Sequence, residues 1–140
     1  MKAYLSIKYH LDNRNRKAIE SISQILTTCG FETICMQRDI EHWGAVTLAP
    51  HELMTTTFDA IRSCHILVVD LTEKGVGLGI EAGYAYAHSI PVFTIAPEGA
   101  DISATLQGLS SAIAFYRTTE DLYGCFVELG LLSQEDLHPA

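Results

Sequence analysis

Basic residues and long apolar runs are both scarce in this sequence, and each shortage excludes a class of partner. Lys and Arg number 9 of the 140 residues against 17 Asp and Glu, so the formal net charge is −8. An acidic chain of this kind is not attracted to nucleic acid or to anionic lipid. No apolar run approaches the roughly 20 residues needed to cross a bilayer, and the N-terminus lacks the apolar core of a signal peptide. We therefore expect no nucleic acid polymer and no membrane as partner, and a cytoplasmic location.

Metal-ligand patterns are also missing. The four cysteines are scattered without a CxxC pair, at Cys29, Cys35, Cys64 and Cys125. The six histidines are dispersed and form neither an HxxxH nor an HExxH pattern. Because metal sites need clustered ligands, the sequence predicts no metal site, and its cysteines are expected to be reduced thiols in the core.

Proline is rare as well, at four residues, while 48% of the chain is hydrophobic and 19% is charged. This composition excludes disorder and low complexity. A length of 140 residues is that of one ordinary domain, and no linker or internal repeat interrupts it. The sequence therefore predicts a single domain over residues 1–140.

Short apolar runs alternate with longer periodic segments, which is typical of an α/β domain. Strands are predicted at residues 3–7, 31–36, 65–70, 91–95 and 112–116. Helices are predicted before Gly30, at 52–63, 79–89 and 102–109, and from a Thr118–Asp121 capping box to Leu129, with loops at 37–50 and 71–78. This pattern predicts a flavodoxin-like (Rossmann-like), doubly wound parallel sheet of five strands in the order 2-1-3-4-5. Its ligand should lie at the carboxyl ends of the first and third strands, among residues 6–13 and 70–81.

The loop that leaves the third predicted strand combines three alternate glycines with one acid. Gly75, Gly77 and Gly79 lack Cβ atoms where the chain turns from strand to helix, so backbone amides could approach a ligand closely. A loose dinucleotide fingerprint in this loop is rejected, because it follows the third strand and places Glu81 where a pyrophosphate would lie. Glu81 is predicted in the first helical turn, where the helix dipole favours an ionised nucleophile or base. Plain compensation of that dipole is the alternative.

Residues 75–85, GVGLGIEAGYA, following the predicted strand, resemble the signature of the nucleoside 2-deoxyribosyltransferase family, which includes a branch of 2′-deoxynucleoside 5′-phosphate N-hydrolases. The resemblance covers roughly residues 3–116. It implies that Glu81 attacks the anomeric carbon of deoxyribose and forms a covalent glycosyl-enzyme, which water or a second base then resolves.

The same resemblance implies roles for several other residues. Tyr4 matches the family tyrosine that holds the nucleophilic carboxylate, with a packed core aromatic as the alternative. Ser6, Ile7 and Lys8 resemble a Ser-Ile-Arg segment that binds the 5′-phosphate in the hydrolase branch. Ser103 matches a serine which that branch inserts into the phosphate site of the neighbouring subunit, and capping of its own helix is the alternative. The match at Ser103 implies a homodimer or a higher homo-oligomer.

The sequence departs from that family at two positions. Thr57 stands where the family has an acid that fixes the leaving base or donates its proton, and Gly75 stands where the two branches have Asp or Ser. Asp59 could replace the missing acid if the helix register differs. Asp70, at the end of a strand, could bind a sugar hydroxyl or act as the acid, with a strand-terminal cap as the alternative.

One Trp and one apolar stripe on a predicted helix remain to be interpreted. Trp43, beside His42 in the loop after the second strand, could stack on a base, although a lone Trp more often fills a core. Ile80, Tyr84 and Ala87 are predicted to form a core stripe on the third helix.

These features together predict an enzyme with a small-molecule substrate and without cofactor or metal. It would cleave the N-glycosidic bond of a 2′-deoxynucleoside or its 5′-monophosphate and pass the deoxyribose to water or to another base. Two alternatives remain open: a nucleotide-binding module of the same fold without efficient turnover, and an NAD glycohydrolase that also uses a Glu.

Overall fold

The computed structural model describes residues 1–131 and contains one parallel sheet of five strands. The strands are β1 (Lys2–Ile7), β2 (Glu32–Ile34), β3 (Ile66–Asp70), β4 (Val92–Pro97) and β5 (Ala112–Tyr116). Their order is β2-β1-β3-β4-β5, and every neighbouring pair is parallel. The flavodoxin-like fold class and the strand order predicted from the sequence are confirmed.

Helices cover both faces of this sheet. They are α1 (Arg16–Thr28), α2 (Pro50–Arg62), α3 (Val76–Ala87), α4 (Ala104–Leu109) and α5 (Leu122–Glu128). Apolar residues of α1 and α5 pack against one face of the sheet, and those of α2, α3 and α4 pack against the other. Every residue of β3 is buried, as a strand in the middle of such a sheet must be.

The register of β1 on β3 decides which side chains can meet. Tyr4 lies opposite Leu67, and Ile7 lies opposite Asp70. Because side chains alternate between the two faces of a sheet, Tyr4 and Ser6 point toward α2 and α3, whereas Ile7 and Asp70 point toward α1. The sheet therefore separates two sets of residues that are neighbours in sequence.

Two predicted helix boundaries are confirmed. Gly30 follows the end of α1 with a φ of 94°, the left-handed conformation that terminates a helix. Thr118 and Asp121 form the predicted capping box, which opens a short 3₁₀ turn (Thr119–Asp121) leading into α5.

The segment after β2 differs from the prediction. Residues 37–50 were expected to form an irregular loop, but this region contains a π turn at Met36–Ile40 and a 3₁₀ turn at His42–Gly44. Strand β2 also has three residues where six were expected, and the π turn begins at Met36, two residues after the strand ends. Apolar periodicity does not reveal either turn, since each is shorter than two turns of an α-helix.

Helix α3 also begins earlier than predicted. Its first residue is Val76 and not Gly79, so Gly77 and Gly79 lie inside the helix and Glu81 lies in its second turn. The glycines lower helix propensity without forbidding the helix, which is why they resembled a loop. The predicted core stripe is wrong in part, because Ile80 is 45% exposed and Ala87 is exposed.

Within residues 1–131, no helix has the length and apolar composition needed to cross a membrane.

Candidate active site

Glu81 is a buried carboxylic acid at the carboxyl edge of the sheet. Its side chain is 8% exposed, and its Oε2 atom has no hydrogen bond partner. Burial raises the pKa of Glu81 to about 7, although the hydroxyls of Tyr4 and Ser6 oppose the rise. The prediction that the helix dipole controls its ionisation is therefore corrected: Glu81 lies beyond the first turn, where the dipole is weak, and desolvation dominates.

Two hydroxyl groups from β1 accompany this carboxylate. Tyr4 Oη and Ser6 Oγ are both buried without a hydrogen bond partner of normal geometry, although both face Glu81 closely enough to affect its pKa. Burial and the nearby Glu81 charge raise the pKa of Tyr4 well above its usual value, so its phenol remains protonated. Unsatisfied buried hydroxyls beside a carboxylate are costly for stability, and both can donate to an ionised Glu81.

Glu81 lines a large cavity between α3, α2 and the segment after β2. The cavity volume is about 440 Å³. Much of its wall is apolar, formed by Leu11, Met36, Val46, Leu48, Leu53 and Met54. Its polar residues include Tyr9, Glu41 and Thr57. A flat, mostly apolar ligand group with a few polar edges fits such a wall.

A smaller cavity of about 190 Å³ adjoins the larger one and also includes Glu81. It is lined by Lys8 and by residues 75–78, where the chain enters α3. No side chain caps the first turn of α3, so its amides lack an intrahelical acceptor. No hydrogen bond or ion pair from the Lys8 ammonium group occurs within residues 1–131. An ammonium beside uncapped helix amides favours an anionic group at this end.

The two cavities share Tyr9, Met36, Gly77 and Glu81. Glu81 therefore lies where an apolar compartment meets a cationic one. A nucleoside 5′-monophosphate has the same order of parts, with a base at one end, a phosphate at the other and a sugar between them.

Of the three glycines predicted to bind substrate, two line these cavities and one does not. Gly75 and Gly77 line these cavities, whereas Gly79 does not. A Cβ atom added at Gly77 would lie 3.9 Å from Glu81 Oε1, and one added at Gly79 would meet nothing within 4 Å. Neither glycine is required by protein packing, so only the close approach of a ligand would require Gly77.

Asp70 lies on the opposite face of the sheet from Glu81. Its carboxylate accepts hydrogen bonds from Tyr116 Oη at 2.8 Å and Thr72 Oγ1 at 2.9 Å, and it lines a separate cavity near α1. Burial raises its pKa above the usual value. The structure does not bring Asp70 together with Glu81.

Asp59 is exposed on α2 and lines neither cavity, whereas Thr57 is buried and lines the larger one. The helix register therefore directs Thr57, and not Asp59, toward Glu81. Ser103 occupies the N-cap position of α4 without making a side-chain capping bond, away from both cavities.

Trp43 is held away from the two cavities. It packs against the core near α1, and the guanidinium of Arg16 lies 4.6 Å from the centre of its ring. The cavity also includes Tyr9, which lies within the predicted segment 6–13 but was given no role, and Glu41, which lies outside the predicted segments. No periodic pattern marks these loop residues, and only their closeness to Lys8 and Trp43 in the sequence could have drawn attention to them.

Within residues 1–131, no group of three or more His, Cys, Asp or Glu side chains could hold a metal ion.

Among the comparisons with known proteins, only the search of solved structures finds similar proteins, and it supports the fold. Neither a protein-family model nor a curated protein sequence matches the chain. A solved CMP N-glycosidase from Clostridium botulinum, BcmB, matches with a TM-score of 0.69 at 18% identity, over 92% of this chain and 99% of that chain. A 2-deoxyribosyltransferase from Bacillus psychrosaccharolyticus matches with a TM-score of 0.68 at 19% identity, over 88% of this chain and 90% of that chain.

The same architecture also occurs in a protein of another kind. The pseudo-receiver domain of the CikA protein matches with a TM-score of 0.53 at 13% identity, over 100% of both chains. The fold is therefore shared with the two enzymes and with a receiver-type domain, and the function has to be argued from the site.

Proposed function

We propose that this protein is an enzyme of the nucleoside 2-deoxyribosyltransferase kind, which cleaves the N-glycosidic bond of 2′-deoxynucleosides or their 5′-monophosphates. The observation that carries this proposal is the position of Glu81, a carboxylate at the junction of an apolar and a cationic cavity. The likeness of the fold to an N-glycosidase and a deoxyribosyltransferase supports it.

In the proposed reaction, the base lies in the larger cavity and the phosphate, when present, lies beside Lys8 in the smaller one. An oxygen of ionised Glu81 attacks C1′ of the sugar, and the C1′–N bond breaks with its electron pair passing to the base. Water or a second base then attacks C1′, which restores the Glu81 carboxylate. Tyr4 and Ser6 orient the carboxylate by donating hydrogen bonds to it once it is ionised.

We also propose that the protein is a homo-oligomer that works in the cytoplasm. On α3, Val76 is 82% exposed and Ile80 is 45% exposed, and these two apolar side chains, one helical turn apart, form the proposed contact surface. The cysteines Cys35, Cys64 and Cys125 are free and buried, which fits a reducing compartment.

The decisive experiment measures base release from a panel of nucleosides and 5′-monophosphates, each in the deoxy and the ribo form. Wild type should release free base from at least one deoxy substrate, and Glu81→Ala and Glu81→Gln should not. A denatured sample quenched during turnover should carry the mass of one deoxyribosyl group on the peptide containing Glu81. Base release that persists in Glu81→Ala would overturn the proposal.

Two other results would favour the alternatives. Saturable nucleotide binding without base release in either form indicates a binding module. Nicotinamide release from NAD, without release of nucleobase from deoxy substrates, indicates an NAD glycohydrolase.

A further inference from the structure

We propose that Glu41 is the proton donor to the leaving base, the second carboxyl group that the reaction of Glu81 requires. This inference rests on the proposed function, because it names the group that protonates the base while Glu81 attacks C1′. Glu41 and Glu81 line the same cavity of about 440 Å³. Across residues 1–131, no other acidic side chain lines this cavity or the one that adjoins it.

The backbone around Glu41 is held by hydrogen bonds. Its amide donates to the Met36 carbonyl at 2.9 Å, and its carbonyl accepts from the Gly44 amide at 3.0 Å. The next three residues all have positive φ, 48° at His42, 58° at Trp43 and 94° at Gly44. Such conformations are costly for the two residues that carry a side chain, so the turn persists only because its surroundings fix it.

Trp43 shows how that turn is fixed. The Asn13 side-chain amide donates to the Trp43 carbonyl at 2.9 Å, and Arg16 covers the indole ring. Of the two interpretations of Trp43 from the sequence, base stacking and core packing, the structure agrees with core packing. Trp43 anchors the turn that holds Glu41 at the cavity wall.

The surroundings of Glu41 make its carboxyl group hold a proton more tightly than an exposed Glu does. Burial raises the pKa of Glu41 above its usual range, and the hydroxyl of Tyr9 opposes that rise. Tyr9 is the titratable group beside it, Glu81 faces the same cavity, and Lys8 lies in the adjoining one. A carboxyl group with a raised pKa is a better acid near neutral pH than an ordinary surface Glu.

A second observation places a polar ligand group at this wall. Thr57 Oγ1 is buried without a hydrogen bond partner, its residue is 2% exposed, and it lines the same cavity. A hydroxyl left unpaired in an otherwise apolar wall needs a partner, and the edge of a nucleobase provides one. Thr57 stands where the family resemblance implies an acid, and besides Glu81 the acidic side chain that lines this cavity is Glu41.

The step balances as follows. While a Glu81 oxygen bonds to C1′, the C1′–N bond breaks and its electrons pass to the base, which takes the proton of the Glu41 carboxyl group. Glu41 is left as a carboxylate. In the second half, water adds its oxygen to C1′ and gives a proton to Glu41, while the bond from C1′ to Glu81 breaks and both carboxyl groups return to their first state.

The test compares natural bases with bases that leave without protonation. Glu41→Gln is assayed on the accepted deoxynucleotide and on its activated counterpart, the 7-methylated purine or the 5-fluorinated pyrimidine. The variant should lose about 10²- to 10⁴-fold in kcat on the natural substrate. It should lose less than about tenfold on the activated one. Glu52→Gln, at an exposed acid on α2 outside both cavities, is the matched control and should resemble wild type.

Equal losses on both substrates would show that Glu41 only positions the base, and no loss would show that it has no part; either result overturns the inference. The proposed function fails separately, through a wild type that releases no base or a Glu81→Ala that still does. Thermal unfolding of Glu41→Gln shows whether the variant remains folded. Glu41→Asp, which keeps the carboxyl group, should recover part of the lost rate.

Discussion

Tyr4 and Glu81 face each other between β1 and α3, and each has a buried oxygen without a hydrogen bond partner. An arrangement that lowers stability in the free protein is expected where ligand binding completes the missing interactions. The pair therefore gives a direct expectation for how stability and activity change with pH.

Replacing Glu81 by Gln should stabilise the protein at alkaline pH. The folded-state pKa of Glu81 is about 7 against an ordinary value of 4.5, so the folded form binds its proton more tightly than the unfolded form. The contribution of Glu81 to stability is therefore fully present below about pH 4.5 and is lost as the pH rises through 7. Urea unfolding at pH 8 should show Glu81→Gln more stable than wild type by up to about 3 kcal/mol, with no difference near pH 4. Equal stability of the two proteins at pH 8 would contradict this view of the site.

Tyr4→Phe should slow the reaction without unfolding the protein. The hydroxyl has no partner in the free protein, so its removal should cost little stability. Losing one donor to the nucleophile should lower kcat by about a hundredfold. Since that hydroxyl lowers the pKa of Glu81, the acid limb of kcat/KM should also move to higher pH. Tyr86→Phe, at a residue that is 59% exposed, is the control, and an unmoved acid limb in Tyr4→Phe would count against the orienting role.

Gly77→Ala and Gly79→Ala form a matched pair on one helix. Each should be tolerated and should stabilise α3 by up to about 1 kcal/mol, because alanine favours helix and no atom blocks either Cβ. Only Gly77 lines the cavities, so its methyl group should obstruct substrate and raise KM. Steady-state kinetics of both variants checks this. Similar KM values for the two variants would show that substrate binding does not depend on the absence of a side chain at Gly77.

Lys8→Ala should weaken nucleoside monophosphates selectively. If Lys8 pairs with the 5′-phosphate, its loss should cost about 1.5 to 3 kcal/mol, or about 10- to 100-fold in kcat/KM. Deoxynucleosides without phosphate should be affected little. Lys17→Ala, at an exposed lysine on α1, controls for the change in net charge. A loss of the same size for both substrate classes would show that Lys8 does not bind the 5′-phosphate.

Ile80→Glu should dissociate the proposed oligomer. A charge in the middle of an apolar contact on α3 is costly to bury, so light scattering should give the mass of one chain for the variant and a multiple of it for wild type. Val127→Glu, on α5 at a residue that is 42% exposed, should leave the mass unchanged. A wild type that is already monomeric would refute the role of this surface.

The fold could be predicted from the sequence because its strands and helices differ in period and length. The site could be predicted only in part. Glu81 and Tyr4 were predicted to lie together, and they do. Ser6 was predicted to bind a phosphate, but its hydroxyl faces Glu81 and it lines neither cavity. Thr57, noted as the residue in place of a family acid, lines the same cavity as Glu81. The face on which Asp70 lies follows from the register of β1 on β3, which the sequence does not specify. The raised pKa of Glu81 could not be predicted, because it arises from burial by residues far away in the chain.

The proposed nucleophile and the wall proposed to bind the base come from different parts of the chain. Glu81 stands on a helix packed against the sheet, whereas residues 41–57 supply most of the wall opposite it. Under the proposed function, substitutions within residues 41–57 would change which base is accepted without altering the proposed nucleophile.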